Sequence, residues 1–252
     1  MEKYNLTILL TYHENKESLC DTIGNILKFN ENVCVIVNNG SNDVFECYDT
    51  VENIHVVQRI SDYDRFDTMV PLHLELYDYM VKNNIKSDYV LLMSSNQLFV
   101  NRGLYEFMKK YDASYYEREI DWGCINALKR HDVFVEYHKK LGEENFKYQS
   151  NHDGMFFKYD IFVEMMNFFD NYHGKKHNFH GEEFLYVAYL IKNNLNLVEY
   201  GEYNYWQPTW RQSSRPVSIN EVEDSIKKGC FIVKRVSRNL DDEARIFIKG
   251  LN

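Results

Sequence analysis

Three short stretches hold the side chains that could do chemistry. Gly181-Glu182-Glu183 sets two carboxylates side by side before the apolar run "FLYVAYL". Glutamate ordinarily titrates near pH 4.3, so both are ionised at neutral pH and able to accept a proton. If a helix begins there, neighbouring side chains diverge and only one addresses a given hydroxyl. The same pair would also complement the positive end of a helix. The second stretch is basic. Between Tyr205 and Arg238 stand seven basic residues, Arg211, Arg215, Lys227, Lys228, Lys234, Arg235 and Arg238, against three acidic ones, in a chain of net charge -9. Arginine matches the oxygen pairs of phosphate and keeps its charge. The run reads either as an anion seat or as a solvated face, and Lys227 and Lys228 fit the latter. In "FIVKRV" strand alternation puts Lys234 and Arg235 on opposite faces, so one of them reaches any site. The third stretch is "DYVLLMSSNQLFV", residues 88–100, an apolar run broken by Ser94, Ser95, Asn96 and Gln97. Hard cations want carboxylate oxygens, and this turn offers only neutral ones.

These residues need a scaffold. Leu6–Thr11, Val33–Val37, Ile54–Val57 and the run after Asp88 read as short apolar strands. Lys16–Phe29, Met69–Val81 and about Leu104–Lys110 carry helical spacing. Alternating strand and helix means crossover connections and a mainly parallel sheet flanked by helices. Ligands in such sheets sit beyond the strands' C-terminal ends. Thr11–Glu14, Asn38–Ser41 and Ser94–Gln97 therefore share one rim. Thr11, Asn38 and Asn39 there suit a nucleotide's base and ribose, although "NNG" is also plain turn chemistry. The second half is less regular. "WGCINAL", "GMFFKY", "LNLVEYGEY" and "FIVKRV" read as strands. Ile161–Phe169, Glu182–Leu190 and Ile219–Lys227 read as helices. "YNYWQPTW" offers Tyr205, Trp206 and Trp210, whose faces suit either sugar stacking or a packed loop.

The 252 residues, with no repeat, Pro-rich linker or composition break, suggest a single domain. About 1–110 would form a nucleotide-binding half and about 111–252 an acceptor and catalytic half. The acidic balance, with pI near 5.5, argues against a nucleic-acid binder. No stretch approaches the roughly 20 apolar residues of a membrane helix. The N-terminus lacks a cleavable leader pattern. The five scattered cysteines read as reduced core thiols, and together these features suggest a cytoplasmic protein. His173, His177 and His180, followed by Glu182, have a spacing that a helix could turn into metal ligands. The glycines around them favour a loop instead.

Four stretches in order resemble the core-2/I-branching β-1,6-N-acetylglucosaminyltransferase family and its xylosyltransferase relatives. They are "DYVLLMSSNQLFVNRGLYEFMKKY", "GMFFKYDIFVEMMNFF", "GEEFLYVAYL" and "RPVSINEVEDSIKKGCFIVKRV". The resemblance implies an α/β nucleotide-diphospho-sugar transferase (GT-A-like) fold and an inverting transfer from a nucleotide-sugar, such as a UDP-sugar, to a glycan hydroxyl. It implies Glu183 as the base and Arg215 and Arg235, with Lys234, on the diphosphate. Ser94, Ser95, Asn96 and Gln97 would form the donor-sugar turn, and Glu182, Tyr205, Trp206 and Trp210 would face the acceptor. Many nucleotide-sugar enzymes end this strand in Asp-x-Asp around a metal, but the family's animal members need none, so no metal or other cofactor is expected. Gln97 and Glu182 stand where the family has Asp, and Arg235 where it has Lys. Two other readings stay open. One is a metal-dependent transferase of this fold using Asp43 or the histidine cluster. The other is a nucleotide- or sugar-binding protein without catalysis.

Overall fold

A computed structural model describes residues 3–12, 16–39, 51–58, 69–172, 181–206 and 215–251. The expected alternation opens the chain: β1 (Tyr4–Tyr12), α1 (Lys16–Phe29), β2 (Val33–Asn39), β3 (Ile54–Gln58), α2 (Met69–Lys82) and β4 (Ser87–Ser94). Then follow β5 (Gln97–Phe99), α3 (Leu104–Met108), β6 (Ala113–Tyr115), α4 (Trp122–Leu128) and α5 (Asp132–Leu141). The remainder is β7 (Phe156–Lys158), α6 (Tyr159–Phe168), α7 (Glu182–Lys192), β8 (Leu197–Glu199), β9 (Asn204–Tyr205), α8 (Ile219–Lys227), β10 (Ile232–Lys234) and α9 (Glu243–Gly250).

The main sheet has seven strands in the order β3-β2-β1-β4-β7-β6-β8. β3, β2, β1 and β4 are mutually parallel, and β7 runs antiparallel to both β4 and β6. Alternation along β1, β2 and β4 feeds two cores. Leu9, Ile36, Val90 and Leu92 join side chains of α2, α5, α6 and α7 on one face. Ile8, Leu10, Val35, Leu91 and Met93 join those of α1 and α3 on the other. Burial on both faces explains why these strands are apolar without interruption. A second sheet, β5-β10-β9, packs through Leu98 and Val233 onto α8 and α9.

The register delivers the expected rim. Thr11 is partnered by Asn38 on one side and Ser94 on the other, and Tyr12 by Asn39. Two side chains tie α1 to its neighbours, one to β5 and one to α9. Asn25 of α1 donates to Phe99 O at 2.9 Å and accepts from Phe99 N at 2.7 Å, completing an edge of β5. Buried Arg245 of α9 reaches Asp21 at 2.6 Å and the Ser18 carbonyl at 3.1 Å in α1.

Two expectations are corrected. "WGCINAL" is helix α4, not a strand: Asp121 caps it by accepting from Cys124 N, and Ile125 and Leu128 bury one face. An apolar run this short does not separate strand from helix, and the cap decides it. Cys20 is disulfide-bonded, not reduced, and its partner lies outside the described residues. Cys34, Cys124 and Cys230 are free thiols. No described helix is long and apolar enough to cross a membrane.

The entry to β7 depends on Gly154. Its φ is +95, a left-handed conformation that favours glycine, and an added Cβ at Gly154 would lie 2.2 Å from Asn204 Nδ2 and 2.8 Å from Gln97 Nε2. Gly229 has φ +80 but open space around it. Gly154→Ala should therefore cost roughly 2–5 kcal/mol in a urea titration, and Gly229→Ala about 1–2 kcal/mol. Equal losses at the two positions would contradict this packing.

Candidate active site

The turn between β4 and β5 closes on itself. Ser94 N donates to Gln97 Oε1 at 3.0 Å, and Ser94 Oγ to Asn96 Oδ1 at 2.7 Å. Gln97 is fully buried and directs Nε2 at Tyr200 Oη, 3.4 Å away. Arg238 Nε donates to Ser95 Oγ at 3.1 Å, and Val236 N to the Asn96 carbonyl at 2.9 Å. The segment after β10 thus lies directly against the turn. On the neighbouring strands, Thr11 Oγ1 donates to the Met93 carbonyl at 3.4 Å. Asn38 is 2% exposed and its Nδ2 has no hydrogen-bond partner. Buried donors are almost always satisfied, so such an atom at a strand end marks a place for a ligand or water.

Beside the turn, a chain of alternating charges crosses the rim. The Asp153 carboxylate lies 2.7 Å from Lys234 Nζ and 3.0 Å from His152 Nε2. His152 Nδ1 lies 3.3 Å from Glu182 Oε1, too oblique for a hydrogen bond but a close ionic contact. Burial raises the cost of ionising Asp153, yet Lys234 and His152 outweigh it and hold the carboxyl well below its usual range. Burial likewise pushes His152 down, but Asp153 and Glu182 together raise it to about 10. His73, whose ring meets that of His152 edge-on at 5.5 Å, is pushed by burial and by the His152 charge down to about 3. It is neutral and bonds Tyr186 Oη at 2.9 Å.

Local structure fixes this chain. Gly154 N donates to the Leu92 carbonyl at 2.6 Å, joining the start of β7 to β4. Tyr200 Oη donates to the Asp153 carbonyl at 2.8 Å, and Tyr203 Oη to the Gly154 carbonyl at 2.6 Å. Lys234 is buried at the end of β10, with Asn151 Oδ1 at 2.9 Å and the Trp206 ring centroid at 4.6 Å. Its ammonium therefore has a carboxylate, a carbonyl oxygen and a π face around it. Lys234, the last residue of β10, faces Asp153, while Arg235 lies past the strand's end, where its φ of +73 turns the chain. Left-handed backbone is uncommon for a non-glycine residue and concentrates at functional turns.

The other expected residues distribute as follows. Glu182 and Glu183 open α7 and diverge. Glu182 is 1% exposed and meets His152, whereas the half-buried Glu183 accepts from Gln149 Nε2 at 2.5 Å. Arg215 stands exposed at the start of α8 and makes a two-pronged pair with Glu221 at 2.8 and 3.0 Å. Glu221 also closes the capping box with Ser218. Trp206 packs on Tyr116, with ring centroids 5.1 Å apart, and Tyr205 is half-buried next to it in β9. Trp210, Asp43, His173, His177 and His180 lie outside the described residues. Lys227 is on the solvated face expected of it, loosely paired with Asp224 at 3.6 Å.

The residues that sequence reasoning missed are Gln149, Asn151, His152 and Asp153, while Arg238 was counted in the basic run but given no place of its own. "QSNHDG" directly precedes "GMFFKY", and its polar, turn-forming character just before an apolar run was the available signal. Among the described residues, the donors at the turn do not suit a divalent metal. The turn supplies neutral oxygens bonded to one another, and the adjacent carboxylate, Asp153, is occupied by two cations. Among the described residues no group of three or more His, Cys, Asp or Glu could hold one.

No family model and no curated protein matches the chain by sequence. Among solved structures it is similar to the galactosyltransferase LgtC in complex with donor and acceptor sugar analogs. The TM-score is 0.50 at 9% identity, over 97% of this chain and 94% of that one. A glycosyltransferase involved in the glycosylation of the major capsid of PBCV-1 matches at TM-score 0.48 and 12% identity, over 97% and 99% of the two chains. Mouse xyloside xylosyltransferase 1 matches at 0.46 and 9%, over 93% and 98%. The fold is the GT-A fold, a mainly parallel sheet flanked by helices, as the sequence led us to expect. At these identities the likeness extends to the fold alone.

Lys234→Met removes one partner of a buried ion pair and should destabilise the protein by about 3–5 kcal/mol in chemical denaturation. Lys227→Ala, on the solvated face, should leave stability nearly unchanged. A loss below about 1 kcal/mol for Lys234→Met would show that Asp153 does not depend on it.

Proposed function

We propose that this protein is an inverting glycosyltransferase that moves a sugar from a nucleotide-diphosphate donor, a UDP-sugar, to a glycan hydroxyl without a metal ion. The observation that carries this reading is the contact of Arg238 with Ser95. It sets a permanent cation in the turn where enzymes of this fold commonly place metal-binding carboxylates. Thr11, Asn38 and Asn39 receive the base and ribose, and the unpartnered Asn38 Nδ2 is the donor best suited to a base or ribose oxygen. The diphosphate lies over Ser94–Asn96 toward Arg235 and Arg238. Arg215 was expected in that place, but its guanidinium is committed to Glu221, so we assign its role to Arg238. Lys234 is surrounded by Asp153, Asn151 and Trp206, and it fixes Asp153 for the donor sugar's hydroxyls instead of ligating phosphate.

Glu183 is the base. Gln149 orients its carboxylate at an accessible helix start, while Glu182 is buried against His152. The acceptor hydroxyl gives its proton to Glu183 as its oxygen attacks the anomeric carbon. The bond from that carbon to the diphosphate breaks, and the electron pair leaves on the diphosphate oxygen. The arginines stabilise the charge that develops there, an interaction stronger in the transition state than in the ground state. Trp206 and Tyr116 offer apolar faces for the acceptor. The absence of acids from the Ser94–Gln97 turn also favours a second reading, a nucleotide-sugar-binding protein without turnover.

The two readings separate at Glu183. A nucleotide-sugar at 100 times its dissociation constant should stabilise the wild type by about 2.7 kcal/mol in thermal unfolding. Glu183→Gln should retain that stabilisation while transfer to an accepted glycan falls by roughly 10²–10⁴-fold. Glu182→Gln should be the milder change. Undiminished turnover in Glu183→Gln would remove the assigned base, and binding without any transfer by the wild type would favour the second reading.

A further inference from the structure

We infer that His152 is a positioning residue: a doubly protonated imidazole that joins the start of α7 to the start of β7 and so decides which of the two adjacent glutamates does the chemistry. This rests on the glycosyltransferase reading for its chemical consequence, but not for its geometry.

The geometry is a ring between two carboxylates from different elements. Nε2 faces Asp153 at 3.0 Å, and Nδ1 faces Glu182 at 3.3 Å. Ionised carboxylates accept but do not donate, so Nε2 carries hydrogen toward Asp153, and the Glu182 charge beside Nδ1 favours a second proton there. The groups around the ring agree. Asp153 approaches from the β7 side with Lys234 behind it, and Glu182 approaches from α7. His73 of α2, kept neutral by burial, meets the ring edge-on while its own Nδ1 is engaged by Tyr186. The balance of charge also puts His152 above the physiological range, at about 10.

The consequence follows from helix geometry. Glu182 and Glu183 are consecutive, so their side chains cannot share a direction. Tyr186, four residues after Glu182, lies on the same face and contacts His73, so one histidine pair receives that whole face. Once His152 holds Glu182 inward, Glu183 is turned toward Gln149. Without the imidazolium, the buried Glu182 loses its His152 contact, and with it the first turn of α7 loses this tie to the β7 entry.

The test uses the full chain and three variants, His152→Gln, His152→Lys and Glu182→Gln. In nitrogen-15 NMR of the wild type at pH 8, both His152 ring nitrogens should be protonated. In Glu182→Gln the midpoint should fall by about one pH unit or more. Hydrogen exchange in the first turn of α7 should be faster in His152→Gln than in the wild type. With an accepted glycan, His152→Gln should lower kcat by roughly tenfold to a hundredfold, the cost of a misplaced catalytic group, while the dissociation constant for UDP stays within about twofold. His152→Lys, which restores a cation, should recover part of kcat. A neutral imidazole at pH 8, or unchanged exchange and kcat in a folded His152→Gln, would overturn the inference. If the wild type transfers no sugar, the glycosyltransferase reading fails, and the NMR and exchange measurements still decide the role of His152.

Discussion

The ion pair between Lys234 and Asp153 is the constraint on which the rest of the site depends. Lys234 ends β10 in the second sheet, and Asp153 stands just before β7 in the main one, so the pair fastens the two sheets at the rim. A buried pair is costly to desolvate and is retained only when its geometry and remaining hydrogen bonds are good. Here Asn151 and Trp206 take the other directions of the ammonium, and His152 takes the other carboxylate oxygen. With β10 held there, the turn after it brings Val236 and Arg238 against Ser95 and Asn96. The cations near the turn are thus placed by the sheet framework and not by the length of their own side chains.

That framework also accounts for the charge distribution. An acidic chain repels anions at long range, so a diphosphate must meet a local cluster fixed at short range. In the proposed function the basic residues after β9 supply it, but they are not equivalent. Lys227 and Lys228 face solvent, Arg215 is tied to a helix cap, and Lys234 is neutralised by Asp153. Arg235 and Arg238 remain beside the turn. Among the described residues, the Asp153 carboxylate beside the turn already has an ammonium and an imidazolium as partners. Glu183, the proposed base, accepts from Gln149 at the start of α7.

Much of the framework was legible in the sequence. β1, β2 and β4 are apolar throughout because both faces are buried, and their ends predict a shared rim that the register of Thr11, Asn38 and Ser94 bears out. Ile219–Lys227 was legible as helix α8, whereas alternation in "FIVKRV" does not extend to Arg235, which lies past the end of β10. The second half was harder for a physical reason. β6, β7, β8 and β10 have three residues each, too few for any periodicity to show. Trp122–Leu128 was misread because its cap, Asp121, outweighs a run that resembles a strand. Asp153 and His152 were missed because the local sequence marks only a polar turn: their partners, Lys234 and Glu182, lie far along the chain and meet them only through the fold.

The central claim is that the chain's own cations hold the diphosphate. The most direct measurement is calorimetry of UDP binding in excess chelator and in excess manganese, with uridine as the control lacking phosphate. The account predicts equal UDP affinity in the two conditions and, in Arg238→Ala, a loss of about ten- to a hundredfold for UDP but not for uridine, the worth of a charge-assisted contact. Binding of UDP only in manganese, or equal losses for UDP and uridine in Arg238→Ala, would contradict it.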